Sequence, residues 1–148
     1  MKKFNYSMQK ILDLRNFELD QAEVDLGKTN AEIAVQNNTL KAIAEQKVSV
    51  SRRTDSSSDL NDYYAADAYF KLLEQRKEMC FEELARLEPI AEQKRGVVRE
   101  CMKKVKVLEQ LKKSKLGQWK KQNLKEEELA MDEVVTFKSS GSSFSDSE

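Results

Sequence analysis

Side chains able to do chemistry are few in this sequence, and their spacing suits none of the common reactions. There is no histidine, so the commonest general base and zinc ligand are missing. The two thiols, Cys80 and Cys101, stand 21 residues apart. In one straight helix that separation is roughly 30 Å, far beyond disulfide reach. Both fall on apolar positions of a repeat and read as small buried hydrophobes. No glycine-rich phosphate loop and no CxxC pair occurs. The residues argue against an enzyme and imply no cofactor and no metal.

What does concentrate is positive charge. Between Lys103 and Lys125 stand nine lysines against Glu109 alone, a net +8. Lys112, Lys113, Lys115, Lys120 and Lys121 surround Trp119 there. A basic run with an aromatic platform is one route to single-stranded nucleic acid. Against that reading, no base-reading motif is present, and Glu126, Glu127, Glu128, Asp132 and Glu133 follow at once. An acidic protein surface fits better, with a merely solvated face as the plain alternative. Trp119 also continues an apolar repeat, which gives it packing as a second possible duty. Gly117 lowers helix propensity and lets this segment bend.

A second class of candidates is apolar and points outward. Leu14, Phe17 and Val24 take positions away from the seam of the first helix, and Tyr69, Leu72, Met79 and Phe81 do so in the second. Incidental surface hydrophobes are common. Grouped aromatic, Met and Leu side chains also mark docking faces. Both readings stay open.

The elements that must position these groups are two helices with heptad seams. From Tyr63, the series Tyr63, Phe70, Lys77, Leu84, Ala91, Val98, Val105 is trailed three residues later by Ala66, Leu73, Cys80, Leu87, Lys94, Cys101, Leu108. Alternating steps of three and four keep one stripe facing a partner, the mark of a coiled coil. Lys77 and Lys94 are the charged seam positions, where methylenes can lie along the seam while the ammonium reaches water. The first helix, about 4–50, carries Leu12, Leu19, Leu26, Ile33, Leu40 with Met8, Arg15, Ala22, Thr29, Gln36, Ile43, Val50. Its second series is polar in the middle, so that helix needs a mate. Between them Ser51–Ser58 has no apolar residue and predicts a turn. Asp59 is placed to cap the next helix.

The expected fold is all-α: an antiparallel coiled-coil hairpin over residues 1–135, with a second helix of about 59–133 and a disordered tail over 136–148. Folding back at Ser51–Ser58 pairs Val50 with about Leu60 and Phe4 with about Lys106, leaving the rest of a roughly 110 Å second helix overhanging. Pro89 predicts a kinked but continuous helix, because the heptad phase is the same on both sides. Charged residues form 35% of the chain, net charge is zero, and no run approaches a membrane span. The composition predicts a soluble cytoplasmic protein.

The opening run Phe4-Asn5-Tyr6-Ser7-Met8-Gln9-Lys10-Ile11-Leu12-Asp13-Leu14-Arg15 resembles the start of the flagellar FliJ family: a spaced aromatic pair, hydrophobe–Gln–Lys, then a Leu-Asp-Leu-Arg-like run. Tyr69-Phe70-Lys71-Leu72-Leu73-Glu74 and Met131-Asp132-Glu133-Val134 are similar to two later family segments. The resemblance spans Phe4 to about Val134 and implies a stalk-like component of the flagellar type III protein export apparatus. It implies three partners: the hexameric export ATPase, the cytoplasmic part of the export gate, and export chaperones. Nucleic acid is not among them, and the free protein is expected to be a monomer, cytoplasmic and peripheral to the inner-membrane gate. The ATPase-binding candidates are Leu14, Phe17, Val24, Lys112, Lys113, Lys115, Trp119, Lys120 and Lys121. The gate-contacting segment falls on Tyr69, Phe70, Leu72 and Leu73, of which Phe70 and Leu73 also sit on the seam. Two rivals remain: a scaffolding coiled coil dimerising through its overhang, and a chaperone for one secreted substrate.

Overall fold

The computed structural model describes residues 2–144, with side chains through residue 141. Two helices account for almost all of it, α1 (Gln9–Asp55) and α2 (Leu60–Phe144). Among the described residues there is no strand. Contacts divide the chain into two compact units. The terminal unit joins the residues before Phe17 to those after Met102, and the turn unit is Phe17–Met102.

In the turn unit, α1 and α2 run antiparallel: Lys47 meets Glu74 and Asp25 meets Lys94. The heptad seam is what lies between them. Ile43, Leu73 and Cys80 form a buried cluster, flanked by Leu40, Tyr69 and Phe70, and Leu87 and Ala91 continue it. Leu73 and Ala91 are at 0% exposure and Leu87 at 2%. Burying a leucine this far is worth about 1.5–3 kcal/mol. The two members of the core nearest Pro89 are thus Leu87 and Ala91, and α2 is helical straight through the proline.

Lys94 lies half-buried on the seam. Its ammonium donates to Thr29 Oγ1 at 2.7 Å and to Asp25 Oδ1 at 3.0 Å. Thr29 is the one buried polar residue among those described, and Lys94 satisfies it. Tyr63 departs from the seam expectation. It is 46% exposed, and its hydroxyl donates to the Ser57 carbonyl at 3.2 Å.

Helix ends differ from the expected ones. α1 runs through Ser51–Asp55, where Arg52 and Arg53 sit favourably against its C-terminal dipole. The turn shrinks to residues 56–59. Asp59 caps α2 as expected, its Oδ1 accepting from the Asn61 amide at 3.1 Å. Lys47, Thr54 and Ser57 add half-buried polar positions to the seam that the apolar residues announce.

In the terminal unit the chain starts later as a helix than the heptads suggest. Residues 2–6 are not helical and Ser7 and Met8 form a turn. The first helical bond runs from the Leu12 amide to the Met8 carbonyl. The extended residues cover α2 at about 3.3 Å per residue, against 1.5 Å in a helix. The later turn and this extended start correct the pairing: Phe4 lies against Trp119, not Lys106. Beyond Asn123 every residue of α2 through 141 is exposed.

The serine-rich end also differs in part from expectation. Residues 136–144 continue α2, with Thr136, Ser139 and Ser140 hydroxyls bonded back to carbonyls of the preceding turn. Residues 136–141 are all exposed, as the composition predicts, and residues 145–148 of the expected tail lie outside the described residues.

Three consequences can be measured by thermal or denaturant unfolding. Leu87→Ala should destabilise by about 2–5 kcal/mol. Gly27→Ala, where an added Cβ meets nothing within 4 Å, should stabilise by about 0.5–1 kcal/mol. The third concerns pH. The Glu74 carboxyl is held below its ordinary value, first by its hydrogen bond with Lys47 and then by the charges of Lys47 and Lys77. A lowered carboxylate adds stability above its ordinary value and loses it as pH falls through the native one. Unfolding temperature should therefore fall between about pH 5 and pH 3, and less so in Glu74→Gln.

Candidate partner-binding face

The basic segment of α2 is positioned in the terminal unit by what packs on one side of it. Tyr6, Leu12, Val105 and Leu108 are buried there, and Phe4, Met8, Leu116, Trp119 and Asn123 are half-buried. The stripe runs 105, 108, 112, 116, 119, 123, so Leu116 takes the place that a strict heptad would give Lys115. Lys115 is thereby turned to solvent. An extended segment, not a helix, lies opposite, and it imposes no heptad spacing.

The opening run supplies the contacts. Phe4 and Trp119 rings sit 6.0 Å apart at a tilt of 57°. The Tyr6 hydroxyl donates to the Leu108 carbonyl at 3.0 Å, and Lys2 approaches Glu126 at 4.0 Å. Gln9 links two elements: its Nε2 donates to Asp13 Oδ1 at 2.8 Å, and its Oε1 accepts from Lys112 Nζ at 2.7 Å. The spaced aromatics, the glutamine and the aspartate of that run all serve this junction.

Of the basic candidates, Lys112 is half-buried and engaged with Gln9, and Trp119 is engaged with Phe4. Lys113, Lys115, Lys120 and Lys121 are exposed, as are Lys103, Lys104, Lys106 and Lys125. At 100° per residue Lys106, Lys113 and Lys120 form one row, Lys104 and Lys115 another, and Lys103 and Lys121 a third. Positive charge thus covers α2 on every side but the packed one. Leu14 of the same unit is exposed. Phe17 and Val24 belong to the turn unit and are exposed there, at 60% and 54%.

The second group of candidates divides in the turn unit. Leu72 is 41% exposed. Tyr69 and Phe70 are half-buried against the Ile43–Leu73–Cys80 cluster, and Tyr69 also lines an open groove of about 540 Å³ with Val50, Thr54, Ala65 and Ala66. Leu73, grouped with them from the sequence, is wholly buried and belongs to the core, so no partner reaches its side chain in the folded chain. Met79 and Phe81 are exposed beside them, with the Lys77 ammonium 5.8 Å from the Phe81 ring centre.

Among the described residues, the charge pairs that shift titration lie in this unit. Besides Glu74, the Glu83 carboxyl is lowered chiefly by its hydrogen bond with Arg86, which is raised in turn, and Glu92 by hydrogen bonds from Arg95 and Arg99. These are surface pairs within one helix. Among the described residues no group of His, Cys, Asp or Glu could hold a metal, and no helix is long and apolar enough to cross a membrane.

The extended start of the chain was the main feature missed from the sequence. Its signal was present: Phe4-Asn5-Tyr6-Ser7 alternates apolar and polar at period two, and Ser7 favours a turn.

No curated protein and no solved structure matches the chain. A family model does match, that of the flagellar FliJ protein, over residues 4–143. That match takes in both helices and the aromatic opening run, and the chain belongs to the flagellar FliJ family.

Proposed function

We propose that this member of the FliJ family, a non-catalytic component of the flagellar export apparatus, acts as a stalk-like element that binds the hexameric export ATPase and links it to the export gate. The observation that carries the ATPase half is the lysine cover of α2 in the terminal unit on every side but the packed one, where Lys112 is tied to Gln9. Two helices side by side present a cross-section narrow enough for the centre of a ring, each about 10–12 Å across. Acidic loops lining such a ring would attract the lysines and speed association. The gate half rests on Tyr69, Phe70 and Leu72, which offer aromatic and aliphatic edges beside the groove. Export chaperones are a third class of partner, and the site of action is the cytoplasmic side of the inner-membrane gate.

The stretch of α2 over residues 124–141, exposed throughout and carrying Leu124, Leu129, Met131, Val134, Val135 and Phe137, favours a second reading in which two copies associate there. Light scattering separates the two. A mass that stays monomeric with rising concentration supports the stalk, and a concentration-dependent dimer supports the scaffold.

The charge hypothesis has its own test. Lys113, Lys115, Lys120 and Lys121 are exposed and can be replaced by glutamate without touching the packed side, whereas Lys112 would also disturb Gln9. The fourfold variant should bind the export ATPase about tenfold more slowly or worse at low salt, with the gap narrowing as salt rises. Unchanged binding and unchanged ATPase stimulation would reject the basic face as the contact.

A further inference from the structure

Residues 2–8 are built as a cover. Phe4, Tyr6 and Met8 turn inward, while Lys3, Asn5 and Ser7 are exposed, the period of an extended strand laid on a surface. They lie along α2 from Leu108 to Glu126, the same stretch that carries the exposed lysines. What they cover there is apolar apart from Lys112 and Asn123: Leu108 is buried, and Leu116 and Trp119 are half-buried.

The cover is lightly held. Residues 2–6 are not helical, and of them Tyr6 alone is buried. The Tyr6 hydroxyl bond to the Leu108 carbonyl, the tilted Phe4–Trp119 contact and an exposed ion pair at 4.0 Å fasten them to α2, and the Gln9 amide donates to the Tyr6 carbonyl at 3.0 Å. Segments with few buried contacts open at low cost while the rest of the fold stays closed. Once lifted, the segment leaves an apolar stripe flanked by lysines, a surface matched to an acidic amphipathic partner.

We infer that residues 2–8 form an autoinhibitory strap, which occupies the apolar stripe of the basic face and must leave before an acidic partner can bind it tightly. The inference rests on the ATPase-binding reading above and adds its regulation. A strap open about a tenth of the time weakens apparent affinity about tenfold, and holding it open restores that factor.

Two changes to the full-length chain test it. Tyr6→Phe keeps the ring and removes the hydroxyl that reaches the Leu108 carbonyl. A Lys2→Cys, Glu126→Cys pair, joined through a flexible dithiol spacer because the 4.0 Å contact is between the tips of two long side chains, with Cys101→Ser to remove the more accessible native thiol, locks the strap when oxidised and frees it when reduced. The probe is the purified export ATPase, and fluorescence of Trp119, the single tryptophan, reports on the strap directly. Tyr6→Phe should bind several-fold tighter than the parent. The oxidised pair should bind at least about tenfold more weakly than the same protein reduced. Equal binding by the oxidised and reduced forms, with Tyr6→Phe unchanged, overturns the strap and leaves the ATPase reading intact. Failure of every form to bind overturns the ATPase reading and the strap with it.

Discussion

The structure depends on the burial of one stripe per helix. α1 and α2 are charged or polar over most of their surfaces, so each turn has one or two side chains to remove from water. Nothing lies behind that stripe to share the task. In the turn unit the work falls on Ile43, Leu73, Cys80, Leu87 and Ala91, and in the terminal unit on Tyr6, Leu12, Val105 and Leu108. The tolerance of Pro89 follows from the same constraint. An interior proline costs about 3 kcal/mol, yet its neighbours Leu87 and Ala91 are nearly or wholly buried, and their packing holds the helix in phase across it.

The seam was legible in the sequence because apolar residues recurring every seven positions mark a helix stripe that faces a second helix. Almost every residue of the four series is buried or half-buried, with Tyr63 the exception. Register was less legible. It is set where helices stop, and α1 stops at Asp55 on local terms, with arginines in its last turn and a Thr54 hydroxyl bonded to the Val50 carbonyl. The polar members of the seam, Lys47 and Thr54, could not announce themselves by hydropathy. For the candidate face, the lysine cluster was plain as charge. Which of its members serve the fold was not, because that depends on what lies opposite: Gln9 for Lys112 and Phe4 for Trp119.

The two groups of candidate residues differ in kind. Around Lys113 and Lys120 the surface is long-range and electrostatic, suited to capture. Around Leu72, Met79 and Phe81 it is short-range and apolar, suited to holding. The stretch after Asn123 is different again. Apart from the Lys2–Glu126 contact, its described residues rest on the helix backbone and on serine and threonine hydroxyls bonding within it, and with every one of them through 141 exposed, local unfolding costs little there.

Lys94 sets a mechanical property of the turn unit. Its ammonium is tied to Thr29 and Asp25 on the other helix, and Thr29 is buried. Sliding one helix past the other by a heptad would bring Lys94 against Ala22 or Gln36 and leave the Thr29 hydroxyl stranded. Leucine stripes alone resist such slippage poorly, since every heptad offers a similar groove. One polar notch among apolar teeth makes the pair resist axial shear, so a push applied to either helix near that notch is carried by both.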